Sequence, residues 1–239
     1  MTSRTDSAPL REALLLWAVA FLAILATHAI YPYLAKPVAT VAFLYLPLWA
    51  MRQRGEDYTD YGVTFRAWRQ DLILVAEVCC VVLPLYTAGF WGMTHVHPLL
   101  PGWAQTLVAP LVGQSRLFHL RLPDNFGGWV VDQLFVVALP EEFFYRGYLQ
   151  TRLNLVWPPE TRVLGVRVGP AFLVVAVLFA LGHLAVFHVW RLGVFFPALL
   201  FGYLRERTGT VLGCTLLHAI FNLYSLCLEA SFTPMWQRR

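Results

Sequence analysis

The sequence predicts an all-α fold, a polytopic membrane helical bundle with about seven transmembrane helices. Two compositional facts and one pattern predict it. Hydrophobic residues make up 58% of the 239-residue chain and charged residues only 13%, against about 25% charged in ordinary soluble domains. The mean hydropathy is +0.58. Apolar stretches near the length needed to cross a bilayer, about 20 residues, recur between short charged or Pro/Gly-punctuated segments. No linker, low-complexity tract or internal repeat divides the chain. It is therefore read as one integrated membrane domain: residues 1–128 supply N-terminal membrane helices and a loop, and residues 129–230 a core that carries the polar motifs.

In chain order, the first span is residues 13–34. It follows Arg4 and Arg11 and is too long for a signal-peptide core, so it is expected to remain as an anchor. The second, residues 38–51, is short. The polar segment 52–71 that follows lies at the surface, with Phe65 and Trp68 dipping into the membrane interface. The third span is residues 72–93, and residues 94–128 form a Pro/Gly-punctuated loop with room for an interfacial piece. The remaining spans are residues 129–153, 170–190, 192–204 and 210–228.

Basic residues at alternate span ends set the orientation. Arg4, Arg11, Arg52, Arg54, Arg66, Arg69, Arg152, Arg162, Arg167, Arg205 and Arg207 share one side; Lys36, Arg116, Arg121, Arg191, Arg238 and Arg239 share the other. The excess on the first side places the N-terminus in the cytoplasm. The net charge of +4 is dispersed over these ends, which argues against a nucleic-acid partner. Cys79, Cys80, Cys214 and Cys227 sit in apolar stretches without metal-ligand spacing and read as fillers.

Within the spans, ionisable residues are costly, about 2.5–3.5 kcal/mol each on insertion scales. The stretch VVALPEEFFYRGYLQ, residues 136–150, therefore stands out. Glu142 and Arg146 lie four apart on one helical face and can form a neutral buried pair, which by itself would be a purely structural role. Glu141 points about 100° away, with no partner on its own helix. A carboxylate so placed suits general-base chemistry. Pro140 lacks an N–H and is expected to kink the helix beside it.

Two further spans carry polar residues. His183 lies mid-span with Phe179 one turn earlier, and Gly182 permits close helix approach. His218 and Asn222, four apart, share a face of the last span. A glutamate and a histidine can hold and deprotonate a water, and a histidine and an asparagine can donate to an oxyanion. The set reads as hydrolytic, with no GxSxG, HExxH or phosphate-loop motif beside it. His28, His95, His97, His119 and His188 are assigned no chemistry.

Glu141-Glu142-Phe-Phe-Tyr-Arg146, Phe179-Ala-Leu-Gly-His183 and His218-Ala-Ile-Phe-Asn222 resemble, in order, the three signatures of the CPBP intramembrane proteases, relatives of the CAAX prenyl endopeptidases. The match runs over about residues 130–224. The resemblance implies a CAAX-endopeptidase-like core in which Glu141 activates water with His183, His218 and Asn222 stabilise the oxyanion, and Glu142 and Arg146 organise the site. It implies a membrane-associated protein or peptide substrate, with C-terminal sorting-signal cleavage of the myxosortase-like kind or CAAX-like processing as the expected role. The expected location is a bacterial cytoplasmic membrane, with the lipid bilayer as surroundings. No cofactor is expected; zinc held by Glu141, His183 and His218 is the alternative, and Asn222, a poor zinc ligand, favours the metal-free mechanism. The competing non-enzymatic reading is a membrane immunity or scaffold protein of the same fold. A proton-coupled transporter is disfavoured by the absence of paired half-helix repeats.

Overall fold

The structure, a computed structural model, describes residues 7–186 and 188–233. Arg4, Arg238 and Arg239 of the charge count lie outside the described residues. Helix α1 spans Ala8–Ile30 and α2 Ala35–Arg54, joined by a 3-10 turn at Pro32–Leu34. Ala13, Leu16, Ala20 and Ile24 bury one stripe of α1 at helical spacing, with alanines letting the neighbouring backbone approach. The opposite side, including Leu15 and Leu22, is exposed, as a lipid-facing surface should be. The second span is longer than the apolar run suggested, because Arg52 and Arg54 continue the helix until Gly55 closes it in the left-handed conformation at φ 68°. The amides of Gly55 and Glu56 then reach back to the carbonyls of Arg52 and Met51, a Schellman-type stop.

Phe65 and Trp68 are exposed in or beside the following surface segment, and α3 runs over Trp68–Val96. The loop after it contains a short helix, α4 at Gly102–Val108, whose Trp103 and Leu107 point outward. Residues 126–156 form one unbroken rod, α5, in which π-helical turns at Asp132–Ala138 and Phe143–Leu149 flank an α-helical turn at Leu139–Glu142. A small antiparallel hairpin, β1 Thr161–Val163 and β2 Val166–Val168, follows. It interrupts the all-α expectation. Leu164 and Gly165 make its turn with positive φ of 47° and 82°, which suits a two-residue hairpin loop.

Helix α6, Pro170–Gly182, is shorter than the expected span and ends at His183, so that His183 begins a 3-10 turn. After a 3-10 segment at Val189–Val194 come α7, Phe195–Thr208, and α8, Leu212–Ser231. Apart from the short α4, seven helices stand among the described residues at the seven expected places. Among the described residues, four stretches are long and apolar enough to cross a membrane: α1, the 3-10 turn with α2, α3 with its 3-10 extension, and α8.

One contact series sets the register around the site. Arg146 donates to the carbonyl of Ala198, Gln150 to that of Gly202, and Asn154 to the Glu206 carboxylate. Each step is four residues on both helices, so α5 and α7 run parallel in a polar ladder. Apolar faces gain little by leaving lipid for one another, so such ladders fix register where burial cannot. Asp71, fully buried, bonds Thr210 and lies against Gly213 at the start of α8, where the helix N-terminus favours a negative charge.

The ends of the bundle separate as the charge count expects. Arg54 reaches Glu12, Arg66 reaches the carbonyl of Gly209, and the Val211 amide bonds the Gly62 carbonyl at one pole. At the other pole Lys36 pairs with Asp132 and Ser231 meets Arg121.

Candidate active site

The site is built on α5. Pro140 has no amide hydrogen for the carbonyl four residues earlier, that of Val136. Thr40 on α2 supplies the missing donor through its hydroxyl at 2.8 Å. The expected distortion therefore takes the form of π-helical turns on either side of the carboxylates, as is common where helices carry function.

Glu142 is the hub. Its Oε1 accepts from Arg146 at 3.0 Å and from His218 Nδ1 at 2.8 Å, and the side chains of Glu142 and Arg146 are 0% exposed. The Arg146 guanidinium lies over the faces of Phe179 and Phe201, 4.3 and 5.1 Å from their centroids, a desolvated cation–π sandwich. Glu142 and Arg146 thus form the neutral pair that the spacing predicts, bound in turn to α7 and α8.

A carboxylate only accepts, so His218 carries hydrogen on Nδ1. Its Nε2 faces Glu141, 4.0 Å from Oε2. Phe201 stacks on the imidazole at 5.1 Å and fixes its plane. Glu141 itself is 17% exposed, and its Oε2 is buried with no hydrogen-bond partner. Two consecutive glutamates therefore occupy opposite environments, one locked and one open.

His183 is held by its Nδ1, which donates to the carbonyl of Phe179 at 2.8 Å. This leaves Nε2 as the open acceptor. Gly182 has the close approach expected of it: a Cβ there would sit 2.5 Å from the Tyr145 hydroxyl oxygen. Asn222 donates through Nδ2 to Gln133 at 2.8 Å, and Gln133 continues to Asp132 and so to Lys36. One amide hydrogen of Asn222 remains for another acceptor.

Glu141, His183, His218 and Asn222 all line one cavity of about 1060 Å³, with mostly apolar walls from α1, α2, α3, α7 and α8. A smaller hollow of about 330 Å³ at the 109–116 loop touches none of them. Glu141, His183 and His218 are the alternative zinc set of the sequence reading; among the described residues no three His, Cys, Asp or Glu side chains group as a metal site. His95 donates through Nδ1 to the carbonyl of Trp91, and His97 through Nε2 to the carbonyl of Gln105.

Residues 123–224 match the family described as Rce1-like, type II CAAX prenyl endopeptidase Rce1-like. That match supports the resemblance to the CPBP and CAAX endopeptidases. It contains all three motifs and every motif residue just placed around the cavity. No curated protein and no solved structure matches the chain. The match to an intramembrane endopeptidase family, together with the four long apolar helices among the described residues, supports an integral membrane protein.

Some residues at the site escaped the motifs. Gln133, two turns before Glu141, is a polar side chain inside an apolar run, and that alone could have marked it. Tyr145 and the Ala198 carbonyl carry no such mark. Arg191 reads as a loop charge in the sequence, yet lines the cavity beside Trp190.

Proposed function

We propose that the protein is an intramembrane endopeptidase in which Glu141, assisted by His183, activates a water molecule against a peptide bond. The observation that carries this reading is the split between the two glutamates. Glu142 spends Oε1 on Arg146 and His218, whereas Glu141 opens into the cavity with the free ring nitrogens of two histidines at hand.

The charges support the assignment. Arg146 cancels Glu142, leaving Glu141 as the excess negative charge of the buried cluster. As Glu141 takes the proton from water, the hydroxide adds to the scissile carbonyl. The spare Nδ2 hydrogen of Asn222 then faces the developing oxyanion, and His218, where it enters the reaction as the imidazolium with Nδ1–H on Glu142, donates to it from Nε2. Glu141 passes its proton to the departing amine, which restores the starting carboxylate. Glu142 and Arg146 hold His218 in place throughout, as positioning residues.

The substrate in this reading is a membrane-associated protein or peptide, cut at a C-terminal sorting signal or a CAAX-like end, in a bacterial cytoplasmic membrane with the arginine-rich pole in the cytoplasm. The reaction is read as metal-free. In proteoliposomes supplied with membrane protein from cells lacking this chain, the wild-type protein should generate new C-termini that take up one heavy oxygen from labelled water. Chelators should leave that turnover intact, and Asn222→Ala should lower it about a hundredfold to a thousandfold. Absence of new termini would leave the scaffold reading. Stoichiometric zinc with mild Asn222 dependence would overturn the metal-free mechanism alone.

A further inference from the structure

The cavity that holds Glu141 also holds a cation that the proposed reaction does not use. Arg191 lies in the 3-10 segment Val189–Val194, between the helix that ends at His183 and α7, and lines the cavity with Trp190. The other cations set into the helical core have anionic or hydrogen-bonding partners: Arg146 has Glu142, Arg152 has Glu12 and Glu56, and Arg205 has the Arg146 carbonyl and Thr151. Arg191 forms no ion pair with any described residue, and its Nε is buried without a hydrogen-bond partner. The indole nitrogen of Trp190 next to it is likewise buried and unpartnered. The guanidinium sits 5.2 Å from the Trp190 ring, and Glu141 lines the same cavity.

An unpaired guanidinium and an indole N–H are donors without acceptors. The buried Arg191 Nε and Trp190 Nε1 cost free energy while unpaired, and a carboxylate entering the cavity would recover it through charge-assisted hydrogen bonds.

We infer that Arg191 and Trp190 form a receiving site for a carboxylate of the peptide substrate, and that this carboxylate sets where the chain lies relative to Glu141. The inference rests on the reading that a peptide enters this cavity. The shared chemistry has two sources, a free C-terminus or an acidic side chain near the cut.

Binding to the purified Glu141→Gln protein in detergent tests it without requiring turnover. The probes are fluorescent apolar hexapeptides of one core sequence in three forms: free C-terminus, C-terminal amide, and C-terminal amide with one internal aspartate. The protein with Arg191 should bind at least one carboxylate form about tenfold more tightly than the plain amide. Arg191→Gln should erase that preference while leaving amide binding unchanged, and Arg191→Lys should retain part of it, which controls for a folding defect. Preference in the free-terminus arm identifies the C-terminus, and in the aspartate arm the side chain; either supports the site. Equal binding of all three forms, no binding of any, or a preference that survives Arg191→Gln overturns it. Carboxylate-dependent binding in a protein whose wild type cuts nothing would retain this inference and remove the protease reading.

Discussion

Two polar clusters cross the helix packing, and they are finished differently. At the arginine-rich pole, Glu12 accepts from Tyr148 and Arg54, Glu56 accepts from Arg54 and Tyr61, and Arg152 lies within 3.7 Å of both glutamates. Two arginines meet two glutamates and two tyrosine hydroxyls, and the charges cancel. At the cavity, by contrast, Glu141 Oε2 and Glu142 Oε2 are buried without partners, and two imidazoles keep an open nitrogen. A closed cluster ties helices together; an open one leaves capacity to bind and move protons. The same α5 rod belongs to both, with Glu141 and Tyr148 two turns apart.

The comparison breaks most sharply at His183. Its replacement by alanine should lower turnover by about a hundredfold to ten-thousandfold, the range expected for a general acid–base residue. The thermal midpoint should stay near that of wild type, because His183 gives the fold one hydrogen bond to Phe179. A large loss of stability with proportionate loss of activity would make it structural instead.

The locked half of the cavity cluster should respond in the opposite sense. Glu142→Ala leaves Arg146 buried without its counter-charge and should destabilise by about 3–5 kcal/mol, whereas replacing both residues with apolar ones of similar volume should come close to neutral. Denaturation of the two variants in mild detergent measures the difference. Equal losses would mean that the pair does not act as a unit.

At the arginine-rich pole, Tyr148→Phe removes the hydroxyl that donates to Glu12 and should cost about 1–2 kcal/mol, with turnover per folded molecule preserved. Loss of turnover at full stability would show that the closed cluster also serves the reaction.

The smallest effect is one of pH. Burial pushes the Glu56 carboxyl up, but hydrogen bonds from Tyr61 and Arg54 outweigh it and hold the group below its ordinary 4.5. Glu56 therefore adds stability that is present above pH 4.5 and lost as pH falls through its lower folded value. Glu56→Gln should flatten the acid limb of the stability curve; an unchanged limb would place the titration elsewhere.

The fold was legible where membrane physics writes directly into composition. Apolar length marked seven places for helices, and charge counting sorted their ends, because lipid demands both. The π-helical turns of α5 were visible only as Pro140, since the carbonyl it frees is answered by Thr40 from another helix. The early end of α6 at His183 was hidden because apolar residues continue past it. In the site, spacing within one helix revealed the Glu142–Arg146 pair, but not that His218 turns its Nδ1 to Glu142 or that Asn222 is tethered to Gln133. Those contacts depend on helix register, which the α5–α7 ladder sets between residues fifty apart or more.

The central claim is that Glu141, and not its neighbour, carries the chemistry. The most direct test replaces the chromosomal gene with one encoding Glu141→Gln, which keeps the shape and removes the base, and maps membrane-protein C-termini by mass spectrometry at matched protein abundance. Truncated termini present with the wild-type protein should vanish with Glu141→Gln although the variant is folded and inserted. The same termini, produced at a comparable rate by Glu141→Gln, would contradict the account.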